Sequence, residues 1–403
     1  MGTSLHALRV YYFASFAMFG AYLPFFPRWL EARGLTGAPL GLVVATMPAM
    51  SVLAPPLFGW VADRLQLRGS LLRVACAGAL AAFVALALAS TFDAAVGLAP
   101  ILIAVVVFSF FRAPMFMLAD VVALERVVGT GASYGRLRLW GSVGFLAGAL
   151  GAGEWLDPKQ PAPLPVAIAI GLGCATLAAF LLPVRGRLAA RPIGREVREL
   201  LARAPYRRFL VATLLGQLGH AAYDLCYSFH LRDLGVGDDL VGAAWALGVG
   251  AEVVLLASAT RLVERTSAPR MLALAFGVAA GRWVLIAVLR DVGALLGMQL
   301  LHAATFALMW LAALSHNRRA APPAILATAQ ALLTVSMAAG SALGMLAWGT
   351  LYRAGGGSLI FFCASGASAL GALVALTLPP LARPAPESPD TPQPGVDPAE
   401  RRV

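Results

Sequence analysis

Seven ionisable residues interrupt stretches of the chain that are otherwise almost wholly apolar: Arg112, Asp120, His220, Asp224, Glu252, Arg282 and His302. On insertion scales an ionised side chain at the centre of a bilayer costs about 2.5–3.5 kcal/mol, so it persists where a partner, a water-filled cavity or a function offsets that cost. Glu252, Arg282 and His302 fall near the middle of three successive apolar runs, at similar depth. A carboxylate, a guanidinium and an imidazole at one depth can trade a single proton. Glu252 is neutral when protonated and pairs with Arg282 when ionised, while His302 shares the proton or binds a solute. A structural ion pair with a satisfied histidine is the other reading of the same residues. Trp245 lies two turns before Glu252 on the same helical face and can form a wall beside it.

Arg112 suggests anion recognition. Phe108 and Phe116 sit four residues to either side, on its own helical face. A guanidinium matches a carboxylate in a two-pronged fork, and flanking phenyl rings can stack on an aromatic solute. Asp120, two turns further along that face, offers the alternative of an internal Arg112–Asp120 pair. Pro114 should bend this helix. His220 and Asp224, one turn apart, can touch and line an outer path or form a local pair, with Tyr223 and Tyr227 close by; His230 reads as solvated near the outer surface. Tyr12, Phe16 and Phe19 make an aromatic stripe at helical spacing that faces either a cavity or lipid.

The elements that must position these residues are membrane helices. Apolar residues are 60% of the chain and charged residues 13%, with a mean hydropathy of +0.79. A water-soluble domain of this length could not cover so much apolar surface. Apolar runs occupy about 9–30, 40–62, 70–91, 97–124, 137–156 and 163–183, then 207–231, 239–261, 270–289, 292–314, 324–351 and 357–379. Each is helical, since a lone strand cannot satisfy its backbone in lipid. The expected fold is therefore an all-α membrane bundle of twelve transmembrane helices in two six-helix halves. Residues 1–183 form the first half, 184–205 a basic cytoplasmic linker, 206–379 the second half and 380–403 a disordered tail.

Arginine placement sets the orientation. With the N-terminus inside, the inner loops carry Arg9, Arg64, Arg68, Arg73, Arg126, Arg136, Arg138, the Arg185–Arg208 cluster, Arg261, Arg265, Arg270, Arg318 and Arg319. The outer loops carry fewer: Arg28, Arg33, Lys159, Arg232, Arg290 and Arg353. Both termini are then cytoplasmic. The net charge of +11 thus reflects topology and contact with anionic lipid rather than nucleic-acid binding. Trp29, Trp60, Trp155 and Tyr352 fit interfacial anchors. The four cysteines, Cys76, Cys174, Cys226 and Cys363, read as buried thiols, with neither disulfide nor metal spacing. No nucleotide-binding, zinc or nucleophile motif is present, so neither enzyme chemistry nor a cofactor or metal is expected; a channel or membrane enzyme is the remote alternative.

Gly59-Trp-Val-Ala-Asp63-Arg64, with Arg68 behind it, resembles the loop signature of the major facilitator superfamily, and Glu264-Arg265 repeats its charge order about 200 residues on. The resemblance implies a charged latch between two helix sets. Tyr12-Phe-Ala-Ser-Phe16, Leu23-Pro-Phe-Phe-Pro-Arg-Trp29, Tyr134-Gly-Arg-Leu-Arg-Leu-Trp140-Gly-Ser-Val-Gly-Phe145 and Trp245-Ala-Leu-Gly-Val-Gly-Ala-Glu252 together resemble the phenylpropionate-permease group, near the oligosaccharide and nucleoside proton symporters. That resemblance implies proton-coupled uptake of a small organic solute; a bacterial inner membrane is the expected location, and a monomer is the default state. An aromatic carboxylate such as phenylpropionate is the expected solute, with a nucleoside or sugar as the alternative. Glu252, Arg282 and His302 are similar in kind to the coupling site of lactose permease, with Asp120 and Asp224 as further proton-coupling candidates. Efflux by proton antiport is the other directional reading. It is disfavoured because Gly141, Gly144, Gly148, Gly151 and Gly153 occur without the proline that drug antiporters of the superfamily carry there.

Overall fold

The computed structural model describes residues 2–65, 68–92, 97–127, 134–155, 163–182, 194–258, 266–322 and 325–380. The described residues are helical, with no strand among them. In chain order the helices are α1 (Gly2–Ala32), α2 (Ala38–Leu65), α3 (Arg68–Phe92), α4 (Leu98–Val127), α5 (Tyr134–Trp155), α6 (Leu164–Phe180), α7 (Gly194–Ala202), α8 (Ala204–Asp233), α9 (Asp238–Ser258) and α10 (Ala268–Val288). Then come α11 (Val292–Ala320), which changes helical type along its length, and α12 (Leu326–Leu376). Every apolar run of the sequence falls on one of these helices. Seven of the described stretches are long and apolar enough to cross a membrane by length and composition. α12 has the length of two crossings, and it breaks at Gly356, whose φ of 61° suits a residue without a Cβ. The short α7 occupies part of the expected linker; residues 183–193 and the tail from 381 onward lie outside the described residues.

α8 is 30 residues long yet carries several polar groups. The reason is its position, because between Gly219 and Leu231 nearly every residue is buried by neighbouring helices. A helix enclosed by protein need not match lipid. The outer helices do match it: Leu53, Ile103, Leu177, Val254 and Leu373 are large, apolar and exposed, a surface that suits hydrocarbon.

Close packing rests on glycine. A Cβ on Gly144 or Gly148 of α5 would strike the backbone of Phe13 or Ala17 on α1, and one on Gly340 of α12 would strike that of Leu214 on α8. The glycine runs that open α5 and the first arm of α12 thus do the same work in two places, letting helix backbones touch. The repeat extends to the helix ends. α1 and α8 both finish in a left-handed glycine, Gly34 (φ 78°) and Gly235 (φ 82°). In both, the next amide reaches back to a carbonyl five residues earlier, Leu35 to Leu30 at 3.1 Å and Val236 to Leu231 at 3.0 Å.

Helices α1–α6 and α8–α12 meet at the end of the bundle where α1 turns into α2. Gly41 on α2 abuts Gly349 on α12, and Gly153 on α5 abuts Gly242 on α9. Arg28 pairs with Asp238, both almost fully buried, and Glu31 pairs with Arg232. Arg353 donates to Thr36. Toward the opposite end a separate apolar core, including Leu200, Tyr206, Phe209, Leu272 and Leu333, is built from α7 and the second set of helices. Two expectations change here, the interfacial place of Trp29 and the burial of all four thiols. Trp29 is fully buried, stacked on Phe26 and covered by the Arg33 guanidinium, rather than anchored at an interface. Trp155 is exposed, as an anchor would be, while the side chain of Trp60 lies outside the described residues. Cys76 and Cys226 are buried, but Cys174 and Cys363 face outward.

Breaking a buried ion pair from one side costs about 3–5 kcal/mol, because the other charge is stranded. Asp238→Asn should therefore favour separation at this end. Disulfide formation between Thr36→Cys and Arg353→Cys should slow several-fold in that background. An unchanged cross-linking rate would contradict the role of the pair.

Candidate functional site

The second set of helices gathers a polar cluster around Arg282, which is 0% exposed. Its Nη1 donates to Thr305 Oγ1 at 2.9 Å and to His302 Nδ1 at 3.2 Å, and its Nη2 donates to Gln299 Oε1 at 2.8 Å. The guanidinium lies over the rings of Tyr223 and Trp283, each 4.9 Å away. The Gln299 amide also donates to the Tyr227 hydroxyl, and Tyr223 donates to Gln299 Oε1.

The local form of α11 makes this possible. Gln299, His302 and Thr305 are spaced by three, and a regular α-helix would splay them across about 120°. Met298–Leu301 is instead a 3₁₀ turn, which brings residues three apart into line. A π-helical segment, Ala303–Leu308, follows and takes up the change in winding. On α9, Gly248 leaves room for the imidazole, since a Cβ there would lie 3.3 Å from His302 Cδ2. One turn later, Glu252 Oε1 meets His302 Nε2 at 2.7 Å.

The expected trio is thus assembled, but in a different order. Glu252 and Arg282 make no direct pair; His302 stands between them. A guanidinium only donates, so Nδ1 of His302 must accept and its proton lies on Nε2, facing Glu252. Trp245 packs against Tyr223 (4.7 Å between ring centres) and donates to Ser228 at 3.3 Å. It also reaches Phe145 of α5, so it stands where the two sets meet. Asp224 lies 3.7 Å from His220. His230 is buried and bonds the Ile286 carbonyl through Nε2, contrary to the solvated position expected for it.

The first set presents a different face. Arg112 is 7% exposed and donates to Ser51 Oγ at 3.1 Å, with its guanidinium 5.1 Å from the Phe19 ring. Its Nε has no partner, and among the described residues no carboxylate pairs with it. Asp120 instead accepts from Tyr12 at 2.6 Å. Phe116 packs in tilted contact with Phe16 (4.7 Å between ring centres) and Phe19 (5.4 Å), one turn from Arg112. Phe108 does not join them; it is fully enclosed between Phe83 and Tyr22 and belongs to the packed core.

Several contributors were not singled out in the sequence: Ser51, Gln299, Thr305 and Arg138. The Arg138 guanidinium lies 4.1 Å over Phe16 and 5.8 Å from Tyr12. Gly141 gives it space, because a Cβ there would come within 2.8 Å of Arg138 Nη1. Its charge is felt by Glu252 on the other set. Of the loop motif, Gly59, Asp63 and Arg64 close α2 and Arg68 opens α3, with their side chains outside the described residues. Glu264 and Arg265 lie outside the described residues altogether.

A bundle clad in apolar side chains, with polar clusters on facing helix sets, belongs to the class of membrane solute carriers. The family model described as MFS_1 like matches residues 5–364, and the chain belongs to that family of major facilitator transporters. It is similar to a maltose permease of Geobacillus stearothermophilus, 32% identical over 84% of each chain. It is also similar to a probable 3-phenylpropionic acid transporter of Escherichia coli strain K12, 30% identical over 77% of this chain and 81% of that one. The crystal structure of the nucleoside transporter NupG shares the fold, with a TM-score of 0.78 over 94% of this chain and 99% of that chain at 16% identity. The protein is accordingly a multi-pass membrane transporter of small solutes and not an enzyme.

The different surroundings of the two phenylalanines on α4 separate stability from transport. Phe108→Ala should destabilise the fold by about 3–5 kcal/mol, the range for emptying a large aromatic site in a core. Phe116→Ala should cost about 1 kcal/mol in stability while lowering solute affinity. Thermal unfolding of both variants in one detergent checks the order; equal losses would remove the distinction.

Proposed function

We propose that this protein is a proton-coupled symporter that imports a small aromatic carboxylate across a bacterial inner membrane. The observation that carries the reading is Arg112: a buried guanidinium without a carboxylate partner among the described residues, with an unpartnered Nε and Phe16, Phe19 and Phe116 beside it. A carboxylate solute supplies the missing counter-charge, and the phenyl rings receive its apolar body. The relative named for 3-phenylpropionic acid supports that solute class.

The proton is carried by Glu252. His302 is held in one tautomer by Arg282, and a second proton on its Nδ1 would face the guanidinium. A proton joining this chain therefore rests on the Glu252 carboxyl. When ionised, Glu252 attracts Arg138 of the first set; when protonated, it does not. Proton occupancy in this way biases how residues 1–183 rock against 206–379. Twelve crossings with both termini cytoplasmic place the glycine contacts and the Arg28–Asp238 pair on the outer side. The state described is then closed outward, with the Asp63-Arg64 motif and Glu264-Arg265 as the gate of the cytoplasmic end. The carrier acts as a monomer.

A sugar or nucleoside proton symporter is the second reading. Asp120 and the partly exposed Arg138, which share Tyr12, form a donor and acceptor set suited to hydroxyl groups. The relative named maltose permease points the same way.

Proteoliposome uptake separates the readings. With labelled 3-phenylpropionate, maltose and a nucleoside supplied in turn, accumulation should follow an inward proton gradient for the aromatic acid. Arg112→Gln should weaken its binding about 30-fold or more, the scale for removing one partner of a buried charge pair. Sugar accumulation that survives Arg112→Gln would favour the second reading. Glu252→Gln should abolish gradient-driven accumulation while solute exchange continues; full accumulation in that variant would end the assigned proton role.

A further inference from the structure

A second carboxylate–histidine pair lies against the first. His220 Nε2 and Asp224 Oδ1 are 3.7 Å apart on α8, and the His220 ring lies 5.4 Å from that of His302, tilted by 33°. The side chains of Asp224 and Glu252 keep 20% and 15% of their surface accessible, whereas both imidazoles are sealed. The charged and titratable groups around the pair come from every packed neighbour. Tyr223 and Tyr227 lie on α8 itself, Glu252 is on α9, Arg282 on α10 and His302 on α11, and the charge of Arg138 on α5 is felt by Glu252.

The two pairs are not wired together by hydrogen bonds. Both nitrogens of His302 are engaged, Nδ1 by Arg282 and Nε2 by Glu252, so neither can also reach His220. What links them is charge. With the imidazoles neutral, the Asp224 and Glu252 carboxylates repel each other in a low-dielectric setting. A proton bound by either carboxylate relieves that repulsion, so the two compete for it.

We infer that Asp224, backed by His220, is a second proton site whose charge sets the proton occupancy of Glu252. This rests on the assignment of Glu252 as the proton carrier. The two sites also differ in position. Counting from the closed end, Asp224 lies about 14 Å along α8 and Glu252 about 21 Å along α9, at a rise of about 1.5 Å per residue. A proton arriving from that end meets Asp224 first. Loading Asp224 removes a charge that favours the proton on Glu252, so the two sites cannot fill independently.

Infrared difference titration of the purified full-length protein reads carboxyl protonation without any solute. The Glu252 band is identified by its loss in Glu252→Gln and the Asp224 band by its loss in Asp224→Asn. In Asp224→Asn the midpoint of the Glu252 band should move to lower pH by about one unit, a tenfold change in proton concentration. Asp224→Glu, which keeps the charge, should leave it near the wild-type value. Linkage is reciprocal, so Glu252→Gln should move the Asp224 band by the same amount, and this arm stands even where Asp224→Asn does not fold. Midpoints that ignore the loss of the other carboxylate would overturn the inference. Because Glu252→Gln transport is measured separately, loss of coupling there with unshifted bands here would sink the second site alone.

Discussion

One guanidinium organises the second half of this transporter. Arg282 cannot shed its proton, makes no direct contact with a carboxylate and is wholly enclosed. It is held by three acceptors from a single helix and by two aromatic faces. A fixed buried cation of this kind dictates what its neighbours can be. Residues touching it must accept hydrogen bonds, so His302 is locked into one tautomer, and Gln299 and Thr305 present oxygens. The carboxylate nearest to it, Glu252, stands one residue further out, on His302. The irregular winding of α11 falls at the same place: a 3₁₀ turn at Met298–Leu301 narrows the angle between Gln299 and His302, and the π-helical stretch after it carries Thr305.

The first half handles its buried cation differently. Arg112 has a single hydroxyl from Ser51 and an aromatic face, and its charge is left unanswered within the described residues. The two arginines suit opposite tasks. Arg282 spends both terminal nitrogens on acceptors of its own chain. Arg112 is underfilled, which is the state expected of a group whose partner arrives and departs. Similar burial thus conceals opposite chemistry, and only the count of partners tells them apart.

That distinction marks how far the sequence could be read. Charges in apolar runs announce themselves by their cost, so Arg112, Glu252, Arg282 and His302 were legible, as were the helices carrying them. Gln299, Thr305 and Ser51 were not, because an uncharged polar side chain in an apolar run raises no comparable alarm. Arg138 was hidden by its place near a helix start, where an arginine reads as a marker of orientation. Phe108 and Phe116 share a face and a spacing from Arg112, and what divides them is that Phe83 and Tyr22 close over one and not the other. Arg28 read as an ordinary outer-loop charge, since nothing in its segment shows that it meets Asp238.

The repeat explains why that meeting occurs. α1 and α8 end in matching left-handed glycines with matching backward hydrogen bonds, so Glu31 and Arg232 occupy equivalent places 201 residues apart. Groups at equivalent places on two related halves face each other across the axis that relates them. Like residues there would repel or merely touch, whereas opposite charges draw the halves together. The same relation governs the glycines: Gly41 meets α12 as Gly242 meets α5, and the backbones close like a hinge on two matched leaves. Closure at this end therefore combines a shape term, which any duplicated bundle with small residues would have, with a charge term that exists only because the two copies have diverged. The difference between Glu31 and Arg232 at equivalent places thus supplies part of the latch at this end.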